Sequence, residues 1–216
     1  MDKLSLLLLS ILVLQITTRA SLPDLTTSAF QNQCLSRTNA IRGLHKNTPN
    51  MTTDPNLVSY AKSRCATISQ GYILSVGHSG LANGYGENIY WGYSHRKIIP
   101  NCNSAVNGWN SESPNYNYAH LGFSSTTSHF TQLVWTSTTR EGCAVCGGQG
   151  QYFEYYIVCV YQPPGNVFGQ FANNVHPFAW SYIPITLIIK LQFNNFWFWW
   201  FIEESMLNPW VLHRIP

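Results

Sequence analysis

Two histidines and two glutamates stand where their neighbours suggest chemistry. His78 lies between Gly77 and Ser79, and His129 directly precedes Phe130. Glu87 sits in the run Tyr85-Gly86-Glu87-Asn88-Ile89-Tyr90-Trp91, and Glu112 follows shortly after Trp109. Between residues 21 and 180 the only acidic side chains are Asp24, Asp54, Glu87, Glu112, Glu141 and Glu154. A carboxylate in apolar-aromatic company needs a partner, because an unpaired buried charge is expensive. Two imidazoles and two carboxylates can hold a divalent ion through the ring nitrogens, with the carboxylates nearby. They serve equally as a buried hydrogen-bond cluster that positions loops. From residue types alone the second is the simpler expectation, since an isolated histidine is usually structural.

Other hydrolytic patterns are missing. There is no HExxH and no GxSxG; Gly77-His78-Ser79-Gly80 does not fit the latter. Ser79 beside a histidine is no triad, because sequence neighbours rarely face each other in that way. His45, His95, His120, His176 and His213 enter no constellation, and no catalytic residue is assigned.

The elements that must position the four residues follow from spacing. Phe30, Cys34, Ile41 and Leu44 recur at helical intervals over residues 30–46. Asp54-Pro55 opens a second helix with Leu57, Val58, Ala61, Cys65 and Ile68 inward, ending near Gly71. Residues 77–92 are glycine-rich but carry neither GxGxxG nor GxxxxGK[ST], so no phosphate loop is expected. A third helix is predicted over about 102–112, with Ala105, Val106 and Trp109 inward, and residues 129–135 form a compact apolar-aromatic run. Residues 142–146 and 152–161 read as strands joined by Gly147-Gly148-Gln149-Gly150. Helices first and strands later predict a sheet flanked by helices.

The chain has 216 residues, 45% hydrophobic and only 10% charged, with a formal net charge of +3. That balance excludes a disordered chain. The absence of a dense basic run argues against nucleic acid as a partner. Residues 1–20 read as a signal peptide: a short basic start, an apolar stretch, then Thr18-Arg19-Ala20 at the cleavage position. Secretion makes three disulfides the expectation for Cys34, Cys65, Cys102, Cys143, Cys146 and Cys159, and six cysteines allow 15 pairings. Asn50-Met51-Thr52 is the single N-glycosylation sequon. Residues 178–216 form an apolar aromatic tail that includes Phe196-Trp197-Phe198-Trp199-Trp200-Phe201. Lys190, Gln192, Asn194 and Asn195 interrupt it, and Glu203-Glu204 follow, so no stable membrane anchor is expected.

Four stretches then resemble one family. His129-Phe130-Thr131-Gln132-Leu133-Val134-Trp135 is similar to its HFTQ-x-VW element, and Cys159-Val160-Tyr161-Gln162-Pro163-Pro164-Gly165-Asn166 to its C-x-Y-x-P-x-GN element. His78-Ser79-Gly80 with Gly86-Glu87-Asn88 matches HSG…GEN, and the stretch from Trp109 through Glu112 to Tyr116 matches W-x-x-E-x-x-x-Y. On these motifs residues 30–177 resemble the CAP superfamily (cysteine-rich secretory proteins, antigen 5, pathogenesis-related class 1), in wording nearest its fungal secreted members. Ser128 and Val160 depart from the usual pattern. The resemblance implies an α/β fold, a disulfide-tied three-layer α-β-α sandwich. Its cleft tetrad falls here on His78, Glu87, Glu112 and His129, with zinc or another divalent metal as an implied ligand. The implied bridges are Cys146–Cys159, Cys65–Cys143 and Cys34–Cys102.

The resemblance further implies a secreted, monomeric, non-enzymatic binder or exporter of sterols or fatty acids, or a host or environment interaction factor. Tyr90, Trp91, Tyr93, Ile98 and Ile99, in a loop over residues 90–102, are the candidate lipid-facing side chains. The alternative is a metal-dependent hydrolase, a protease, using the His/Glu cleft.

Overall fold

Thr27 starts the first helix by accepting a hydrogen bond from the Phe30 amide, and α1 (Ser28–Arg42) turns Phe30, Cys34, Thr38 and Ile41 inward. The helix is shorter than its apolar spacing predicts. Gly43 takes the C-cap, and Leu44, expected in the inward stripe, is exposed. The computed structural model describes residues 19–71, 76–148 and 153–179, and the backbone of 191–193 and 196–198. Residues 1–18 of the expected signal peptide and most of the aromatic tail lie outside the described residues.

Asp54 caps α2 (Pro55–Gly71), its carboxylate accepting from the Asn56 amide at 2.8 Å and its carbonyl from the Val58 amide. Leu57, Ala61, Arg64, Cys65 and Ile68 are its buried side, so an arginine shares the apolar stripe. Four strands make the sheet: β1 (Thr52–Thr53), β2 (Gly86–Ser94), β3 (Arg140–Gly147) and β4 (Phe153–Gln162), in the order β1-β3-β4-β2. β1 runs parallel to β3, and the other pairs are antiparallel. β2 is a strand that the glycine-rich reading of residues 77–92 passed over. Gly86 lies opposite Tyr161 and Ser94 opposite Phe153.

Alternation along the strands assigns the layers. Tyr156, Val158 and Val160 of β4, with Ala144 and Cys146 of β3 and Ile89 of β2, pack with Leu57, Ala61, Cys65 and Ile68 of α2. Tyr155, Ile157, Cys159 and Tyr161, with Cys143 and Val145, pack on the other face. There they meet α1, α3 (Cys102–Asn110) and α4 (Ser128–Leu133). The result is a three-layer α-β-α sandwich. A last short helix, α5 (Phe171–Asn174), carries Phe171 edge-on against Trp135.

The same alternation corrects two disulfides. The bonds are Cys34–Cys102, Cys65–Cys146 and Cys143–Cys159. Cys143 and Cys146 are three apart on one strand and point to opposite faces. Only Cys143 faces Cys159, its partner in the β3–β4 register. Cys146 faces α2 and Cys65, so the implied Cys146–Cys159 and Cys65–Cys143 bridges would each have to pass through the sheet. Cys34–Cys102 is as the resemblance implies.

Residues after 179 form a separate unit. Its described part is an antiparallel pair, β5 (Leu191–Phe193) and β6 (Phe196–Phe198), with Gln192 opposite Trp197. No described helix is long and apolar enough to cross a membrane.

Candidate functional site

Glu87 points from β2 toward α2, where the Arg64 guanidinium meets it with two hydrogen bonds, Nε to Oε2 at 2.7 Å and Nη2 to Oε1 at 3.0 Å. Arg64 also donates to the carbonyls of Ser79 (2.8 Å) and Gly77 (3.1 Å), fastening the loop on both sides of His78. His78 Nδ1 then lies 2.9 Å from Glu87 Oε1. Burial works to raise the Glu87 carboxyl, but the hydrogen bonds from His78 and Arg64 overcome it and hold the group below its usual range. An ionised carboxylate only accepts, so the bond runs from the Nδ1 proton to Glu87. The Glu87 side chain is fully buried while that of His78 is 55% exposed. The imidazole is therefore anchored from below and open above.

The second pair is built differently. Trp109 fixes α3 to β2 by donating its indole N–H to the Ile89 carbonyl at 3.3 Å, and Glu112 follows just beyond the helix end. The Glu112 carboxylate accepts from the amides of His129 (3.0 Å) and Phe130 (3.1 Å) through Oε2, and faces His129 Nδ1 at 2.6 Å through Oε1. Thr127, at the N-cap position of α4, supplies no side-chain cap. Glu112 does that work from another element, satisfying orphan amides at the positive end of the helix.

A link between the two pairs runs through the start of β2. Asn88, next to Glu87 but on the opposite face, donates to the His129 carbonyl at 3.0 Å. Gln132, buried inside α4, accepts from the Gly165 amide at 2.7 Å. A Cβ at Gly86 or at Gly165 would collide with the Gln132 amide, so the glycines of GEN and of Pro-Gly-Asn are both needed to admit that one side chain. Asn166, at φ 58°, donates to the Ser128 carbonyl at 2.9 Å and completes the α4 end.

The structure thus joins His78 to Glu87 and His129 to Glu112. Among the described residues, no three of these four offer ligand atoms within 4.8 Å of one another, which excludes a tight four-ligand shell in this arrangement. The donor set fits a metal in another way. Each ring has its Nδ1 on a carboxylate, so Nε2 is the atom that would take a metal, the arrangement that orients metal-binding histidines elsewhere.

The candidate lipid-facing residues are not all in a loop. Tyr90, Trp91 and Tyr93 belong to β2, opposite Ile157, Tyr156 and Glu154 of β4. Tyr90 packs on the core, as does Ile98. Trp91 and Tyr93 are 44% and 60% exposed with ring centroids 5.4 Å apart, and Ile99 is 94% exposed. The Trp91 indole donates to Glu154 at 3.0 Å, and Glu154 also takes the Tyr156 hydroxyl and Arg19. Asn50 of the sequon is exposed. Arg64, Asn88 and Gln132 were not assigned roles from the sequence. Arg64 had a readable signal, since it falls inside the inward stripe of α2, where a charge demands a partner.

The model of the cysteine-rich secretory protein family, CAP, matches residues 35–161, and the chain belongs to that family. It is 36% identical over 153 residues to Protein PRY2 of Saccharomyces cerevisiae, covering 69% of this chain and 42% of that protein. It is 36% identical over 144 residues to Secreted protein RBT4 of Candida albicans, covering 65% of this chain and 36% of that one. The chain therefore spans less than half the length of either relative. Among solved structures, NaASP2 with Zn2+ aligns with a TM-score of 0.55 at 22% identity, covering 68% of this chain and 87% of that one. Likeness at that identity speaks for the fold alone. The chain is thus a CAP protein akin to fungal secreted and pathogenesis-related members.

Proposed function

We propose that this CAP protein works outside the cell as a non-enzymatic binder of sterols or fatty acids, in contact with a host or the surroundings. The observation that carries this reading is the aromatic step on the sheet edge, Trp91 beside Tyr93, with the exposed Ile99 in the loop that follows. Flat apolar ligands gain most from such rings, which offer a large apolar face without rotamer-rich side chains. The bond from Trp91 to Glu154 holds the indole in place before any ligand arrives. Removal of residues 1–20 takes Arg19 away from Glu154 and leaves Trp91 and Tyr156 as its partners.

The test is binding of ergosteryl ester, cholesteryl ester and a long-chain fatty acid to purified protein. Trp91→Ala/Tyr93→Ala should weaken binding by about tenfold or more, as expected for losing roughly 1.5–3 kcal/mol of aromatic burial. His78→Ala should leave it unchanged. Lipid binding indifferent to the aromatic pair, or abolished by His78→Ala, would overturn the assignment.

A second reading rests on the two anchored imidazoles. His78 and His129 are the residues that would hold zinc or another divalent ion through Nε2, with Glu87 and Glu112 fixing the tautomers. Such an ion supplies Lewis acidity toward a bound water. Titration with Zn2+ should show one site, lost in His78→Ala/His129→Ala and weakened about 10–100-fold in Glu112→Gln. Zinc-dependent casein turnover that disappears in His78→Ala and Glu112→Ala would replace the binder by a hydrolase.

A further inference from the structure

Two of the three disulfides touch each other. The sulfurs of Cys34, Cys102, Cys143 and Cys159 all lie within 4.8 Å of one another, and all four residues are fully buried. One bridge ties α1 to α3 and the other crosses β3 to β4, so their contact joins a helical layer to the sheet. The third bridge, Cys65–Cys146, belongs to the opposite face with α2.

We propose that these four cysteines form a single thiol–disulfide exchange centre, which takes a small thiol or dithiol as its reductant. A dithiol that opens Cys34–Cys102 delivers two electrons and two protons, is released as its own disulfide, and leaves two thiols. Cys102 is the first residue of α3, and a helix N-terminus favours the thiolate. That thiolate attacks a sulfur of Cys143–Cys159. A new bond from Cys102 to Cys143 forms as the old one breaks, and Cys159 leaves as a thiolate that takes up a proton. No further oxidant is consumed. The buried Cys102 follows directly on a loop in which residues 95–97, 99 and 101 are exposed.

Exchange would have a structural consequence at the candidate site. In the native pairing α3 is held to α1; in the exchanged pairing it is held to the sheet. α3 leads directly to Glu112, which caps α4 and anchors His129. The position of the second His/Glu pair therefore follows the redox state of this sulfur cluster.

The experiment uses Cys34→Ser, which leaves Cys102 as the one unpaired thiol without any added reductant. The folded variant is held near pH 8, where thiolates exchange, then trapped in acid with a maleimide and mapped by mass spectrometry. The expected result is label on Cys102, Cys143 and Cys159, and none on Cys65 or Cys146. Cys65→Ser, which frees Cys146 on the far face, should carry label on Cys146 alone. Label confined to Cys102 in folded Cys34→Ser would overturn the proposal, as would label reaching Cys65 or Cys146, which would mean general scrambling. If Cys34→Ser fails to fold, limited phosphine reduction of the native protein gives the same answer. Cross-paired species linking Cys34 or Cys102 to Cys143 or Cys159 support the centre. Independent opening of each bridge without them refutes it.

Discussion

Glu141 is fully buried on β3, facing Arg42, whose guanidinium donates to the carbonyls of Pro49, Leu133, Trp135 and Thr138. One arginine thus gathers the turns that follow α1 and α4. Burial pushes the Glu141 carboxyl up to about 7, against the opposing pull of the Thr38 hydroxyl and Arg42. The folded protein then holds a proton that the unfolded chain gives up at the ordinary glutamate value. Between about 4.5 and 7 the native state binds more protons, so this group's contribution falls as pH rises, and the loss is complete above 7. Glu87 has the opposite sign, since its lowered value contributes stability that disappears only in acid. Melting temperatures of the native protein and Glu141→Gln at pH 5 and pH 8 should therefore converge at pH 5 and separate at pH 8, with the variant relatively more stable at the higher pH. Parallel profiles would show that Glu141 does not titrate in this range.

Among the elements, α2 is the one that comes closest to the sheet, and Gly142 is the reason it can. A Cβ there would collide with the backbone of Leu57 and Val58, at the first turn of the helix. Backbone atoms cannot rotate away, so Gly142→Ala must push α2 outward. We expect a loss of about 1–3 kcal/mol, the range for overpacking a well-filled site, read as a lower urea midpoint with an unchanged slope. The displacement would also draw Arg64 from Glu87, so Zn2+ affinity should fall with stability if the imidazole pair holds metal. At this scale the helices were largely legible in the sequence, because caps such as Asp54 and inward stripes such as Leu57, Ala61, Cys65 and Ile68 are local features. β2 was not legible. Glu87 and Asn88 put polar residues at its start, and the glycines around it broke up the kind of apolar run that β4 displays openly.

For the molecule as a whole, each face of the sheet has its own covalent tie. Cys65–Cys146 is the only disulfide on the α2 face, closing a span of 81 residues. Its removal as Cys65→Ala/Cys146→Ala should cost about 2–5 kcal/mol, seen as a lower guanidinium midpoint, while leaving the lipid-binding assay at native level under folding conditions. Trp91 lies on this same face, in line with Tyr156 and Cys146 across the sheet, so loss of binding in the folded variant would mean that the bridge, and not Glu154 alone, holds the indole in place. The double variant removes both thiols, so exchange with the other bridges cannot confuse the reading.

The sequence by itself determined the family, through motifs that place His78, Glu87, Glu112 and His129 in order, and it determined the start of α2 and the inward residues of α2 and α3. These are properties of spacing and of single residues, which depend on neighbours within a few positions. Tertiary structure alone decided which imidazole meets which carboxylate, that Arg64 anchors the first pair, and that Glu112 caps a helix it does not belong to. It also decided the disulfides. Whether Cys143 or Cys146 reaches Cys159 depends on which face of the sheet each one takes and on the register between two strands, and a list of cysteines contains neither.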